Sequence, residues 1–165
     1  LGAASVRGGA GFLDVLAQMG AIVERDAESV TVRRGAHPLR GIKADLNAMP
    51  DAAMTLVPLA LFCEGPVELE NIGSWRVKET DRIAAMAAEM RKLGVRVETG
   101  RDYIVVDARS RNHVIPEFDT YRDHRMAMCL SLVALERDIV IRDPQCVNKT
   151  FPGYFSELER LSAPA

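Results

Sequence analysis

The chain repeats itself at an interval of about 70 residues, and this limits what it can fold into. Met19-Gly20-Ala21-Ile22-Val23-Glu24 aligns with Leu93-Gly94-Val95-Arg96-Val97-Glu98, so that Gly20 and Gly94 lie 74 positions apart. At the same spacing Val30 and Val32 fall on Ile104 and Val106. A second pair, Asp51-Ala52-Ala53-Met54 and Asp123-His124-Arg125-Met126, is offset by 72 positions and carries Val67 and Leu69 onto Ile139 and Ile141. Chance likeness of amphipathic segments is the alternative, but two separate pairs give nearly the same offset. The period is too long for a solenoid. It predicts similar α+β units related by pseudo-symmetry, and 165 residues suit a single domain spanning 1–165.

Within each unit the apolar spacing changes from helical to alternating. Phe12, Leu13, Leu16 and Met19 form a helical stripe that Gly20 stops, and strands follow at 22–24 and 30–33. Ile83, Met86, Ala87, Met90 and Leu93 form a second stripe that Gly94 stops, with strands at 95–98 and 103–106. Residues 52–63 read as a buried helix kinked at Pro58, 126–135 as another, and 151–161 as the last. Gly8-Gly9-Ala10-Gly11 lacks the spacing of a phosphate-binding loop and reads as a flexible lead-in to the first helix.

Composition narrows the function. Hydrophobic residues make up 48% and charged residues 27%, enough for a real core. Lys and Arg total 21 against 23 Asp and Glu, so no global basic excess points to nucleic acid. No apolar run approaches the roughly 20 residues of a membrane span, and no secretory signal is expected. Three spaced cysteines (Cys63, Cys129, Cys146) and three dispersed histidines indicate neither a disulfide framework nor a metal site, and fit a reducing, cytoplasmic setting. The chain begins at Leu1, which reads as a piece of a longer protein.

Four short polar stretches could carry chemistry, and each has a bland reading. In Trp75-Arg76-Val77-Lys78-Glu79-Thr80-Asp81-Arg82 the charges could simply be solvated at a helix start. Alternatively Lys78 and Arg82, four apart, share a helical face and hold anionic groups, with Glu79 beside them as an acid or base. In Tyr121-Arg122-Asp123-His124-Arg125-Met126, Asp123 reads as a cap and His124 as structural, whereas Arg125 at the mouth of a buried helix wants a carboxylate or phosphate. Asp51 reads as a cap and Lys149 as a surface lysine. If the units are symmetric, these helix starts gather on one face suited to an anion. The inventory fits a small, multiply anionic substrate.

In this order, Pro50-Asp51-Ala52-Ala53-Met54, the 75–82 stretch, Asp123-His124-Arg125-Met126-Ala127-Met128 and Lys149-Thr150-Phe151-Pro152 resemble the C-terminal part of the EPSP synthase (3-phosphoshikimate 1-carboxyvinyltransferase) family. The likeness runs from about Gly11 onward. It implies an α+β (α/β) fold of repeated βαβαββ units, as in one domain of the enolpyruvyl transferase inside-out α/β barrel. This chain would be most of the C-terminal domain, with the N-terminal domain absent and needed as a partner. It implies transfer of enolpyruvyl from phosphoenolpyruvate to the 5-hydroxyl of shikimate 3-phosphate, in aromatic amino acid biosynthesis, with no metal or organic cofactor.

By motif position Asp51 resembles the base near the reacting hydroxyl, and Glu79 the acid that protonates and then deprotonates the methylene carbon. Asp51, Ser74 and Lys78 correspond to shikimate 3-phosphate contacts. Arg82, Arg125 and Lys149 correspond to the cations that hold phosphoenolpyruvate, or glyphosate in its place, and His124 supports them. Ser74 stands where the family commonly has Asn. The first domain's phosphate-binding lysine, further arginine and Ser-Ser-Gln stretch have no counterpart here, so the chain alone is expected to be inactive. A stand-alone anion-binding or interaction module, and a UDP-sugar enolpyruvyl transferase, are the competing readings. Neither nucleic acid nor membrane is an expected partner.

Overall fold

The computed structural model describes residues 9–35 and 38–162. In chain order the elements are α1 (Gly9–Met19), β1 (Ile22–Arg25), β2 (Val30–Arg33), β3 (Ile42–Asp45), α2 (Pro50–Ala53), α3 (Leu56–Leu59) and β4 (Val67–Glu70). There follow α4 (Arg82–Arg91), β5 (Arg96–Thr99), β6 (Ile104–Asp107), β7 (Glu117–Phe118), α5 (His124–Leu130), β8 (Val140–Ile141) and α6 (Tyr154–Ser162).

The repeat read from the sequence is a repeat of structure. α1 and α4 are each followed by a glycine with positive φ, Gly20 at 108° and Gly94 at 72°, a conformation that costs glycine nothing and reverses the chain into a hairpin. The hairpins pair in the same register. Ile22 faces Arg33 and Val23 faces Val32 in β1–β2, while Arg96 faces Asp107 and Val97 faces Val106 in β5–β6. The second repeat is a parallel pair, with Ala44 opposite Leu69 in β3–β4 and Phe118 opposite Ile141 in β7–β8.

One unit is whole. β3, β4, β6 and β5 form a four-stranded sheet in that order, with β6 antiparallel to both neighbours. α2 and α3 cross between β3 and β4, and α4 crosses between β4 and β5, giving β-α-β-α-β-β. α1–β1–β2 repeats the end of such a unit, and β7–α5–β8 repeats its beginning.

Several boundaries differ from the sequence reading, each for a local reason. The helix at 52–63 is three pieces: α2, α3 and a 3₁₀ turn Ala60–Phe62. Pro58 has no N–H for the Met54 carbonyl, and Val57 N donates to that carbonyl instead at 3.2 Å. Burial matches the expectation, since Ala53, Met54, Leu56, Val57, Ala60 and Leu61 are all in the core. Gly9, Ala10 and Gly11 belong to α1 and are not a flexible lead-in, while Gly8 lies outside the described residues. A side chain at Gly11 would meet the terminal Met49 Cε at 2.3 Å, so α1 packs closely onto the approach to α2 and a larger residue there would have to displace the Met49 side chain. The helix at 126–135 starts earlier, at His124, and narrows to a 3₁₀ turn over Ser131–Leu135. The last helix starts at Tyr154, because Phe151 precedes Pro152 and is pushed out of helical geometry.

Candidate active site

Arg82 is the first residue of α4, and its place there is set by Asp81. The Asp81 Oδ1 accepts from Ala84 N at 3.1 Å as the helix cap. Its Oδ2 accepts from Arg76 Nη1 at 2.6 Å, and Arg76 also donates to the carbonyls of Arg101 (2.7 Å) and Gly100 (2.5 Å) at the β5–β6 turn. Residues 78–81 are therefore a link ahead of the helix. Lys78, with φ −92° and ψ −152°, is extended and does not share a helical face with Arg82, contrary to the sequence reading. The link is seated by Trp75, fully buried, whose Nε1 donates to Pro50 O at 2.7 Å. One hydrogen bond thus ties the second motif to the start of α2, beside Asp51.

The guanidinium of Arg82 binds three carboxylates. Nε donates to Asp123 Oδ2 at 2.7 Å and Nη2 to Asp123 Oδ1 at 3.2 Å, a two-point contact. Nη2 also donates to Glu79 Oε2 at 2.9 Å, and Nη1 to Asp51 Oδ1 at 3.1 Å. Four of the five N–H donors of an arginine are used, and one on Nη1 remains. Arg82 is 1% exposed and the Asp123 side chain 0%, so this pair is the buried floor of the cluster. Burial works against the charge on Arg82, but the Asp123 hydrogen bonds and the surrounding carboxylates outweigh it and raise its pKa.

The other charges stand around that floor on an open face. Asp51 Oδ2 pairs with Arg125 Nη2 at 3.1 Å, and its Oδ1 is 4.0 Å from Lys78 Nζ. Asp51 lies in the first turn of α2 but is not its cap. That position is Met49, which makes no side-chain cap bond, so the Asp51 carboxylate is turned to the cations. Asp123 is a cap, accepting from Arg125 N at 2.8 Å while it holds Arg82. Lys149, at the end of the 3₁₀ segment Pro144–Lys149, donates to Glu79 Oε1 at 3.1 Å. The sequence-predicted charges at 51, 78, 79, 82, 125 and 149 are thus brought together from segments up to 98 positions apart.

Two predicted residues stand differently. Ser74 is exposed on the 3₁₀ turn Gly73–Val77 and lies outside this ion-pair network. His124 is buried, and its Nδ1 makes no hydrogen bond; Asp123 Oδ1, at 3.8 Å, is out of reach. Sequence reasoning missed Asp123 as the chief partner of Arg82, although its alignment with Asp51 in the repeat was the available signal. It also missed Arg76, whose bonds to the Arg101 and Gly100 carbonyls reach 25 and 24 positions along the chain.

The N–H of Glu79's own backbone, the Lys149 ammonium and the Arg82 guanidinium hold the Glu79 carboxyl down at about 2, so it is ionised in this arrangement. Burial pushes the Cys63 and Cys129 thiols up to about 11, which makes neither a nucleophile near neutral pH. Among the described residues, no group of three or more His, Cys, Asp or Glu side chains could hold a metal ion, and no helix is long and apolar enough to cross a membrane.

One whole β-α-β-α-β-β unit flanked by parts of two more, with charged helix starts brought together, is the arrangement of an enolpyruvyl transferase fold. The chain superposes on EPSP synthase from Acinetobacter baumannii with a TM-score of 0.78 at 25% identity, covering 99% of this chain and 40% of that one. It also shares its fold with the enolpyruvyl transferase NikO from Streptomyces tendae, with a TM-score of 0.71 at 23% identity, covering 93% of this chain and 35% of that one. Residues 1–158 match the profile of EPSP synthase (3-phosphoshikimate 1-carboxyvinyltransferase), and the chain belongs to that family. It is 51% identical over 163 residues to the 3-phosphoshikimate 1-carboxyvinyltransferase of Yersinia ruckeri, covering 98% of this chain and 38% of that protein. It is 49% identical over 167 residues to that of Photobacterium profundum, covering 100% and 38%. The chain therefore spans well under half the length of the curated relatives it matches.

Proposed function

We propose that this chain is most of the C-terminal domain of a 3-phosphoshikimate 1-carboxyvinyltransferase and supplies one wall of its site, the N-terminal domain supplying the other. The observation that carries the proposal is the charge balance of the cluster. Lys78, Arg82, Arg125 and Lys149 face Asp51, Glu79 and Asp123, leaving one positive charge in excess. Phosphoenolpyruvate and shikimate 3-phosphate each carry a carboxylate and a phosphate, so further cations are needed from outside the chain. Cytoplasmic placement belongs to the same reading, since Cys63 and Cys129 are free and buried.

In this reading Asp51 takes the proton of the 5-hydroxyl as its oxygen bonds to C2 of phosphoenolpyruvate, and Glu79 delivers a proton to C3, which becomes a methyl group. In the second step Glu79 recovers a proton from that carbon, the double bond re-forms, and the C2–O bond to phosphate breaks. Phosphate departs with the proton that Asp51 had taken. Glu79 must be protonated for the first step, yet Lys149 and Arg82 keep it ionised in the ligand-free arrangement. A bound phosphate draws Lys149 away and adds negative charge nearby, and both effects raise the Glu79 pKa. Arg125, half-buried, and Lys149, exposed, are the cations available to phosphoenolpyruvate. Arg82, with one free donor, contributes a single hydrogen bond and mainly orients Asp51 and Glu79. Lys78 and Ser74 border the shikimate 3-phosphate side, and His124, buried beside Arg125 in sequence with its Nδ1 unpartnered, takes a supporting role.

Acceptor choice tests the reading. The chain is combined with the N-terminal portion of a family member and given phosphoenolpyruvate with either shikimate 3-phosphate or a UDP-N-acetyl sugar, and the products are identified by mass. The expected result is enolpyruvyl on shikimate 3-phosphate alone. Transfer to the UDP-sugar would make this chain part of a different transferase, and binding of both anions without transfer would favour an anion-binding module.

A further inference from the structure

α4 grips the segment ahead of α5 at two points. Arg82 holds Asp123 at one end. Glu89, seven residues on and therefore on the same face two turns later, is fully buried. Its Oε1 accepts from Tyr121 Oη–H at 2.8 Å, and its Oε2 accepts from Asp119 N at 2.9 Å and pairs with Lys92 Nζ at 2.6 Å. Lys92 also donates to Glu117 O at 2.8 Å. A buried carboxylate is costly unless such partners repay it, and an apolar side chain would fill the same volume more cheaply.

What these contacts hold is strained. Tyr121 and Arg122 are consecutive non-glycine residues in the left-handed region, with φ of 55° and 57°. Such residues persist only where their surroundings over-determine them. The next residue is Asp123, and Arg125 follows two positions later. The left-handed pair is the turn that brings both into the cluster.

We infer that Glu89 and Tyr121 are positioning residues, which fix the 119–122 turn so that Asp123 meets Arg82 and Arg125 meets Asp51. The kinetic half of the test rests on the carboxyvinyl-transfer reading; the structural half does not.

Tyr121→Phe removes one hydroxyl and keeps the ring, and Glu89→Gln keeps the shape and removes the charge. Hydrogen exchange of the amides of residues 120–125 is read on this chain, and kcat and KM on the chain combined with the N-terminal portion. Val97→Ala, a buried change in β5 away from the turn, is the stability control. Exchange at 120–125 is expected to rise on the order of tenfold in both variants while the amides of α4 stay protected. The value of kcat is expected to fall by roughly tenfold to a hundredfold, with KM for phosphoenolpyruvate raised and KM for shikimate 3-phosphate unchanged. Val97→Ala should lower Tm without lowering kcat. Unchanged exchange in both variants, raised exchange with unchanged kcat, or a kcat loss matched by Val97→Ala would each overturn the inference. If the unsubstituted mixture does not turn over, the transfer reading fails, and the exchange result alone decides the role of Glu89 and Tyr121.

Discussion

Replacing Arg82 by methionine is expected to destabilise the chain by roughly 3–5 kcal/mol, because it strands a buried charge. Asp123 is 0% exposed, and Arg82 is the cation that meets both of its oxygens. Asp51 and Glu79 lose less, since they face solvent and retain Arg125 and Lys149. For a chain of this size the loss corresponds to a fall in Tm of roughly 6–20 °C. A second substitution, Asp123→Asn, should recover part of it. Asparagine removes the stranded charge and still caps α5 through its side-chain oxygen. Urea unfolding of the three proteins measures both effects. A cost for Arg82→Met below about 1 kcal/mol, the range of exposed ion pairs, would mean that the pair is not the buried floor described above.

Glu79→Gln is expected to do the reverse: little to stability and much to rate. The carboxylate is partly exposed, its pair with Lys149 faces solvent, and the buried Arg82 keeps Asp123 and Asp51, so unfolding should shift by less than about 1 kcal/mol. Glutamine keeps an oxygen for Lys149 but cannot carry a proton to and from carbon. In the enzyme reassembled from this chain and the N-terminal portion, kcat should fall by about 10²–10⁴-fold, with little change in KM for phosphoenolpyruvate. Unchanged turnover would remove Glu79 from the chemistry and leave it as a partner of Lys149 and Arg82.

The contrast between these two residues marks what was legible in the sequence. Elements bounded by local chemistry were readable: Gly20 and Gly94 end their helices, the hairpins follow, and the 74-residue offset holds residue for residue in strand register. The sequence predicts one helix kinked at Pro58, whereas its division into α2, α3 and a 3₁₀ turn depends on which carbonyls find other donors. Four-residue spacing alone places Lys78 and Arg82 on one helical face. Asp81 defeats that reading, because it caps a helix whose first residue is Arg82 and so leaves Lys78 outside it. The membership of the charged cluster was legible as an inventory, but its wiring was not. Arg82 meets Asp123 across 41 positions and Lys149 meets Glu79 across 70, and no short-range pattern encodes either contact. The buried Glu89 gave no signal, since a glutamate within a helical stripe reads as its solvent face.

Phosphate release from phosphoenolpyruvate and shikimate 3-phosphate, measured with the chain alone and then with the N-terminal portion added in trans, tests the split site most directly. A split site gives no turnover by the chain alone and turnover when the two parts are combined. Turnover by the chain alone would contradict it, because a cluster with one positive charge in excess would then suffice to hold and react both substrates.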